Sequence, residues 1–347
     1  MFDTEKPFFS ICIPAYNRAR HLGPLLDSLS QQDFGSFEIV ICEDVSKERP
    51  LIAAIVKEYQ AHTGIRIAYF ENEVNLGYDA NIRNLVAKAT GRFCFFMGND
   101  DLMCAGALSH VHGLIMRHPD VGLVLKSYAW FDEVPEKINQ EVRYFSEERY
   151  MAAGKEAISI CFRRAGVISG YIVRRDLAHA AATAEFDGSL YYQMHLTASV
   201  LAEHGALATP MVLVLCRNSE PPDFGNSASE KGKYLPGRYT PQARLNMIGG
   251  AMNIVKHLRD HRGIDVVDVV QRDYANYFYP YIKDQLNLPL RDYWSMYRSF
   301  GKMGFDAYLL FHIYFLVAYM LGESGFDGLT RRVRGWLGRS PQFGLRR

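Results

Sequence analysis

At 347 residues the chain is long enough for one large domain or two modest ones around a substantial core. Hydrophobic residues at 48% and charged residues at 22% exclude an intrinsically disordered protein. With 39 Lys and Arg against 38 Asp and Glu, no overall field points to a nucleic-acid partner, and none is expected. The start, Met-Phe-Asp-Thr-Glu-Lys, lacks the basic and apolar segments of a signal peptide. Six cysteines show no Cys-x-x-Cys pair, and Cys12, Cys42 and Cys94 lie in apolar runs where thiols act as core residues. A reducing, cytoplasmic compartment is therefore expected.

The first third alternates strand and helix patterns. Phe8 to Ile13 is an apolar run ended by Pro14, and Leu22, Leu25, Leu26 and Leu29 mark one helix face. Phe37 to Cys42 predicts a second strand, and Ile52, Ile55, Val56 and Tyr59 a second helix. Ile65 to Phe70 follows as a third strand. A helix then carries Ile82, Leu85, Val86 and Ala89, with Gly91 expected just beyond its end. Phe93 to Met97 reads as a strand buried on both faces, since nothing in it alternates. A helix from about Ala105 to His118 and a strand from Val121 to Leu125 complete the series. The fold class implied is α/β, a mostly parallel sheet with helices on both faces, followed by a C-terminal helical region. Residues 218–242, rich in Pro, Gly and Ser, read as a long loop or mobile flap, and the chain looks helical beyond Thr240.

Ligands of open parallel sheets bind beyond the carboxyl ends of the strands, and polar groups gather there in this sequence. Pro14-Ala-Tyr16-Asn-Arg18 follows the first strand and Glu43-Asp44-Val-Ser46 the second. Asn75-Leu-Gly77, with Asn81, Arg83 and Asn84, follows the third, and Gly98-Asn99-Asp100-Asp101 the fourth. Adjacent carboxylates repel unless a cation offsets them. Mg²⁺ or Mn²⁺ is commonly held by one or two carboxylates plus substrate phosphates. Each group also admits a plain structural role: Pro14 and Gly77 as turn formers, Asp44, Asp100 or Asp101 as helix caps, Arg18 and Arg83 as solvated cations.

The segments Ser10–Arg18, the Ile-Val-Ile-Cys-Glu-Asp-Val-Ser run to Ser46, Asn75-Leu-Gly77, residues 93–103 and His118–Val124 resemble glycosyltransferase family 2, of GT-A fold. The resemblance runs from about residue 8 to 130, fades towards 220, and lies nearest the abequosyltransferase-like group that builds bacterial surface polysaccharides. It implies a nucleotide-sugar donor with Pro14, Tyr16, Arg18 and Asp44 lining the nucleoside pocket; the strand-end groups Asn75, Gly77, Arg83 and Asn99 complete the expected donor site. It implies Mg²⁺ or Mn²⁺ at Asp100 and Asp101, and a glycan or polyprenyl-linked glycan as acceptor. Two departures stand out. Gly98 replaces the first acid of the family's Asp-x-Asp-Asp, and Glu43-Asp44-Val45-Ser46 replaces Asp-Asp-Gly-Ser. The resemblance implies a carboxylate base, typically in a Glu-Asp pair leading a later helix, and no such pair is present here. In that region Asp187 and His195 are the candidates, with Glu185 third, although Asp187-Gly188 also reads as a turn. The division expected is a transferase domain over 1–240 (donor half 1–126, acceptor half 127–240) and a helical region over 241–347. A nucleotidyltransferase would require a Gly-rich loop after the first strand, which is absent. A non-catalytic glycan-binding or scaffolding subunit with a degenerate fold would account for Gly98 and the missing Glu-Asp pair.

Residues 274–322 are dense in aromatics, and Ala307 to Leu321 is nearly all apolar. That run is short of the roughly 20 residues a spanning helix needs. It reads first as a buried helix, next as an interfacial one. After Thr330 come six arginines, Trp336 and no acid, which suits either a solvated tail or peripheral contact with anionic lipid.

Overall fold

The computed structural model describes residues 6–336. The extreme amino terminus and residues 337–347, with part of the basic tail, lie outside the described residues.

The expected series forms in order: β1 (Phe9–Ala15), α1 (Ala19–Ser30), β2 (Phe37–Glu43), α2 (Arg49–His62), β3 (Ile67–Glu71), α3 (Tyr78–Lys88) and β4 (Phe93–Phe96). Each strand is an apolar run, and each helix turns the predicted stripe inward; Leu22, Leu25, Leu26 and Leu29 are all buried. Then come β5 (Leu102–Met103), α4 (Ala107–Arg117), β6 (Leu123–Phe131), β7 (Ile138–Val142), β8 (Arg149–Met151), α5 (Lys155–Cys161), β9 (Tyr171–Arg174), α6 (Arg175–Ala180), α7 (Tyr192–Leu201) and β10 (Ala206–Arg217). The main sheet runs β3-β2-β1-β4-β9-β6-β10-β5. Parallel pairing joins β3, β2, β1 and β4, and also β6 with β10. The short β9 is antiparallel to both β4 and β6, and so fastens the two halves together.

Two local expectations change. Helix α3 ends at Lys88, where Ala89 turns extended, so Gly91 is not its cap. A side chain at Gly91 would meet the Phe9 carbonyl carbon and Ser10 nitrogen at 2.7 Å; glycine is needed because β1 passes against it. Helix α4 is preceded by Gly106 in a left-handed conformation, so neither Asp100 nor Asp101 caps it.

Beyond the sheet lie α8 (Pro241–Arg262), α9 (Val267–Ala275), α10 (Tyr279–Ile282), α11 (Leu290–Lys302) and α12 (Leu309–Trp336). Thr240 caps α8 by accepting from the Ala243 N–H, with Pro241 in the first turn, and left-handed Gly263 ends it. The aromatic density of this region is a packed cluster. The Phe278 ring lies 4.9–5.8 Å from those of Phe300, Phe305, Phe311 and Phe315. Gly322, at φ 65° and ψ 178°, breaks α12 into two segments. The inner face of the first segment buries Phe311, Phe315 and Ala318, but Leu309 is 72% exposed, Leu316 53% and Met320 75%. The expectation of a buried helix thus holds for one face only.

Candidate active site

Where β1 ends, the chain turns through two consecutive left-handed residues, Asn17 (φ 52°) and Arg18 (φ 60°). Such a conformation is costly for non-glycine residues and has to be held by its surroundings. Asn99 does so by donating to the Asn17 carbonyl at 2.8 Å, and the Asn17 amide itself donates to Asp223 at 2.6 Å. The turn aims the Arg18 guanidinium at Asp100 Oδ2 (2.8 Å) and at the Pro221 carbonyl (2.7 Å).

Asp44, at the end of β2, organises the loop after β3. Its Oδ1 accepts from the Leu76 N–H and the Asn72 amide, each at 2.8 Å, and its Oδ2 from the Gly77 N–H at 2.9 Å. Burial raises its pKa, and these three donors oppose that shift. Asn75 Oδ1 accepts from Gly77 N as well, so Asn75-Leu-Gly77 is fixed from both sides. The neighbouring Glu43 turns away, accepting from the Val45 and Ser46 N–H groups and pairing with Arg49.

Residues 221–230 fold down onto this loop. Glu230 accepts from the Tyr78 N–H at 2.7 Å and from the Gly225 N–H at 2.8 Å. Gly77 has φ 81°, and a Cβ there would lie 2.3 Å from Ser227 Oγ and 2.8 Å from Glu230 Oε1. Gly77→Ala is therefore expected to lift the flap and strain the turn. Donor KM should rise about tenfold, the equivalent of ~1.4 kcal/mol; an unchanged KM in steady-state kinetics would count against flap contact at Gly77.

At the end of β4 the two adjacent aspartates differ. Asp101 is fully committed: Oδ1 accepts from the Arg217 N–H at 2.6 Å, and Oδ2 from the Ser169 hydroxyl. Burial, then the charge of Asp100, pushes its carboxyl up to about 7. Asp100 binds Arg18 through Oδ2, and its Oδ1 has no hydrogen-bond partner among the described residues. A side chain at Gly98, where the resemblance would put an acid, would crowd the ends of three neighbouring side chains. A Cβ would sit 2.9 Å from Asp101 Oδ2, 3.1 Å from Asp100 Oδ1 and 3.1 Å from Ser169 Oγ. Among the described residues, no three His, Cys, Asp or Glu side chains form a metal cage. The donor set instead suits an ion held by one carboxylate together with ligand phosphates.

These groups line one cleft of about 790 Å³. The structure brings together Pro14, Tyr16, Arg18, Asp44, Asn75, Gly77, Asn99, Asp100 and Asp101, all expected from the sequence. The flap adds Asp223, Phe224, Asn226 and Glu230, and the β9 side adds Ile168. The flap was legible as a loop, but its acids carried no local signal. Tyr16 has its phenol pKa raised by burial, then by Asp223 and Asp44. Across Asp100 and Asp101 the cleft opens into a wider one of about 2000 Å³, with Trp130, Arg217, Arg238, Tyr239 and Arg244 in its walls.

Three expected residues lie elsewhere. Arg83 pairs with both oxygens of Asp187, at 2.5 and 2.9 Å, and also donates to the Thr183 carbonyl. That ion pair joins α3 to the loop before α7 and lines neither cleft. Arg83 and Asp187 are thus engaged with each other, away from the residues that line the clefts. His195 is held through Nε2 at the Ala181 carbonyl (2.8 Å), and burial lowers its pKa. It faces a separate hollow with Glu185 and His257. The helix that should carry a base is capped instead by buried Asp79. This residue accepts from the Leu190 N–H at 2.8 Å and the Tyr192 N–H at 2.9 Å.

Residues 10–174 match the family described as glycosyl transferase family 2. Abequosyltransferase RfbV of Salmonella typhimurium is 27% identical over 237 residues, 65% of this chain and 69% of that protein. Among solved structures, S. aureus TarS 1-349 in complex with UDP-GlcNAc superposes with a TM-score of 0.61 at 17% identity, covering 92% of this chain and 91% of that one. The mannosyltransferase PcManGT from Pyrobaculum calidifontis, in complex with GDP-Man and Mn²⁺, gives 0.51 at 15% identity, covering 91% and 88%. At such identities these two likenesses are of fold.

Proposed function

We propose that this chain, a glycosyltransferase whose residues 10–174 match glycosyl transferase family 2, transfers a sugar from a nucleoside diphosphate donor to a glycan hydroxyl. The acceptor class we assign is a free or lipid-linked glycan of a bacterial surface polysaccharide, glycosylated in the cytoplasm. The observation that carries this reading is the convergence of four strand ends on one cleft, with Tyr16, Arg18, Asp44, Asn75, Gly77 and Asp100 in its lining. The nucleoside lies against Tyr16 and beneath the flap. The diphosphate lies by the Arg18 guanidinium, which the left-handed turn holds in place before any ligand arrives. Asp100, through its unpartnered Oδ1, would hold Mg²⁺ or Mn²⁺ together with the donor phosphates. When bound, that ion neutralises charge on the leaving diphosphate as a Lewis acid. Asp101 keeps β9 and β10 aligned beneath Asp100 through Ser169 and Arg217. The wider cleft, with Trp130 and Tyr239 in its walls, receives the acceptor.

A thermal-shift series with UDP, GDP, CDP and TDP, with and without Mn²⁺, tests the donor class. One nucleotide with Mn²⁺ is expected to stabilise the fold by about 2.7 kcal/mol at a hundred times its Kd. If none of the four shifts the melting temperature, and no sugar donor yields free nucleotide, the reading fails.

A further inference from the structure

The outer surface of α11 and α12 carries a pattern that the transferase chemistry does not use. Leu309, Leu310, Ile313, Leu316, Met320 and Leu321 form one exposed apolar stripe on the first segment of α12. Monomeric proteins seldom leave such a continuous strip in water. Beside it on α11, Leu290 is 62% exposed and Trp294 46%. Trp294 stacks on Tyr297, which packs on Phe311 and hydrogen-bonds His312, so the two helices present adjoining surfaces.

The stripe is too short to cross a bilayer. The kink at Gly322 limits the first helix to Leu309–Leu321. Thirteen residues at ~1.5 Å each give roughly 20 Å, against ~30 Å of hydrocarbon. Its other face is already occupied by Phe278 and Tyr297. The geometry fits a helix lying in the interfacial plane.

Charge selects the partner. Arg291 and Arg298 stand one turn either side of exposed Trp294. The acids of α12, Glu323 and Asp327, share the one ammonium of Lys283, at 3.1 and 3.3 Å, which offsets part of their charge. Residues 331–347 then bring six arginines and no acid. An apolar stripe beside Arg298 and the Arg291–Asp292 pair, followed in sequence by this arginine-rich run, suits an anionic lipid surface.

The surface also adjoins the wider cleft. Leu288 and Gln285 line that cleft, two and five residues before Leu290, and Tyr319 of α12 donates to the Leu288 carbonyl at 3.1 Å. We propose that the outer face of α11 and α12 is a docking surface for an anionic bilayer, seating the helix in the plane with the acceptor cleft at the membrane. The acceptor class this selects, within the transfer reading above, is a glycan carried on a lipid.

The test is co-sedimentation with vesicles of phosphatidylcholine alone and of phosphatidylcholine with phosphatidylglycerol. Wild-type protein is expected to bind the anionic vesicles, less so as salt rises. The triple variant Ile313→Glu, Leu316→Glu, Met320→Glu changes exposed positions only, and its melting temperature serves as the check on folding. It should lose at least about tenfold in vesicle partitioning. Truncation after Thr330 should reduce the preference for the anionic vesicles. Three results would overturn the proposal. Wild type might bind neither vesicle; a folded triple variant might bind as well as wild type; or light scattering might show a dimer that the variant splits with vesicle binding unchanged. The assay contains neither donor nor acceptor, so its failure is distinct from failure of the transfer reading.

Discussion

Asp100→Ala is expected to lower kcat/KM for sugar transfer by about 10²–10³-fold while the protein stays folded. Asp100 Oδ1 is the carboxylate oxygen beside Gly98 with no hydrogen-bond partner among the described residues, so under the proposed metal role its loss would remove the protein's hold on the cation. The structural loss is modest. Arg18 gives up one pairing at 2.8 Å, keeps the Pro221 carbonyl, and is already partly in solvent. Asp100→Asn sharpens the comparison, because its amide oxygen can still accept from Arg18 but carries no charge. Both variants should require far more Mn²⁺ for half-maximal turnover, read from a metal titration of nucleotide release. Turnover within threefold of wild type at limiting Mn²⁺ would remove Asp100 from the metal role.

Asp101 should behave in the opposite way. In Asp101→Ala the Arg217 N–H loses its acceptor, and a buried unpaired N–H costs about 1–3 kcal/mol. The melting temperature should fall by several degrees, and activity with it, because β10 is no longer pinned beneath Asp100. Asp101→Asn should fold, since its oxygen can accept from Arg217 and its amide can donate to Ser169. The two forms also separate with pH. The folded pKa of Asp101 is about 7, above its unfolded value of 3.8, so the protonated form favours folding. Its contribution is full below pH 4, is lost as pH rises towards 7, and is constant above. In urea melts with chelator present, wild type should lose stability relative to Asp101→Asn between pH 4 and 7. A pH-independent difference would show that the carboxyl titrates normally.

The donor half of the cleft was legible because its chemistry sits on local grammar. A strand ends, the chain turns, and the polar residues there face the ligand whatever the rest of the fold does. Pro14, Tyr16, Arg18, Asp44, Asn75, Gly77, Asn99, Asp100 and Asp101 all came from that rule. What was missed depends on pairings across long stretches of chain. Asp187 resembled a base leading a helix, yet Arg83 from α3 claims both of its oxygens. Asp79 reads as an ordinary first-turn acid of α3, but it caps α7. Gly98 read as a missing acid, and a side chain there would press on the side-chain ends of Asp100, Asp101 and Ser169. The apolar run ended at Leu321 in the sequence, one residue before the backbone break at Gly322, but which of its faces is buried was not legible there.

The placement of β9 has a consequence for the growing polypeptide. Strand β4, Phe-Cys-Phe-Phe, pairs with β1 on one side, but its other side waits for Tyr171–Arg174, some 75 residues later. At ~5–20 residues per second of synthesis, that leaves an aromatic strand with an open edge for roughly 4–15 s on each ribosome. Such an edge is a template for pairing with a neighbouring nascent chain. Slower translation of residues 97–174, or shortage of a chaperone that covers exposed strands, should therefore send more of this protein into aggregates without changing the stability of molecules that finish folding.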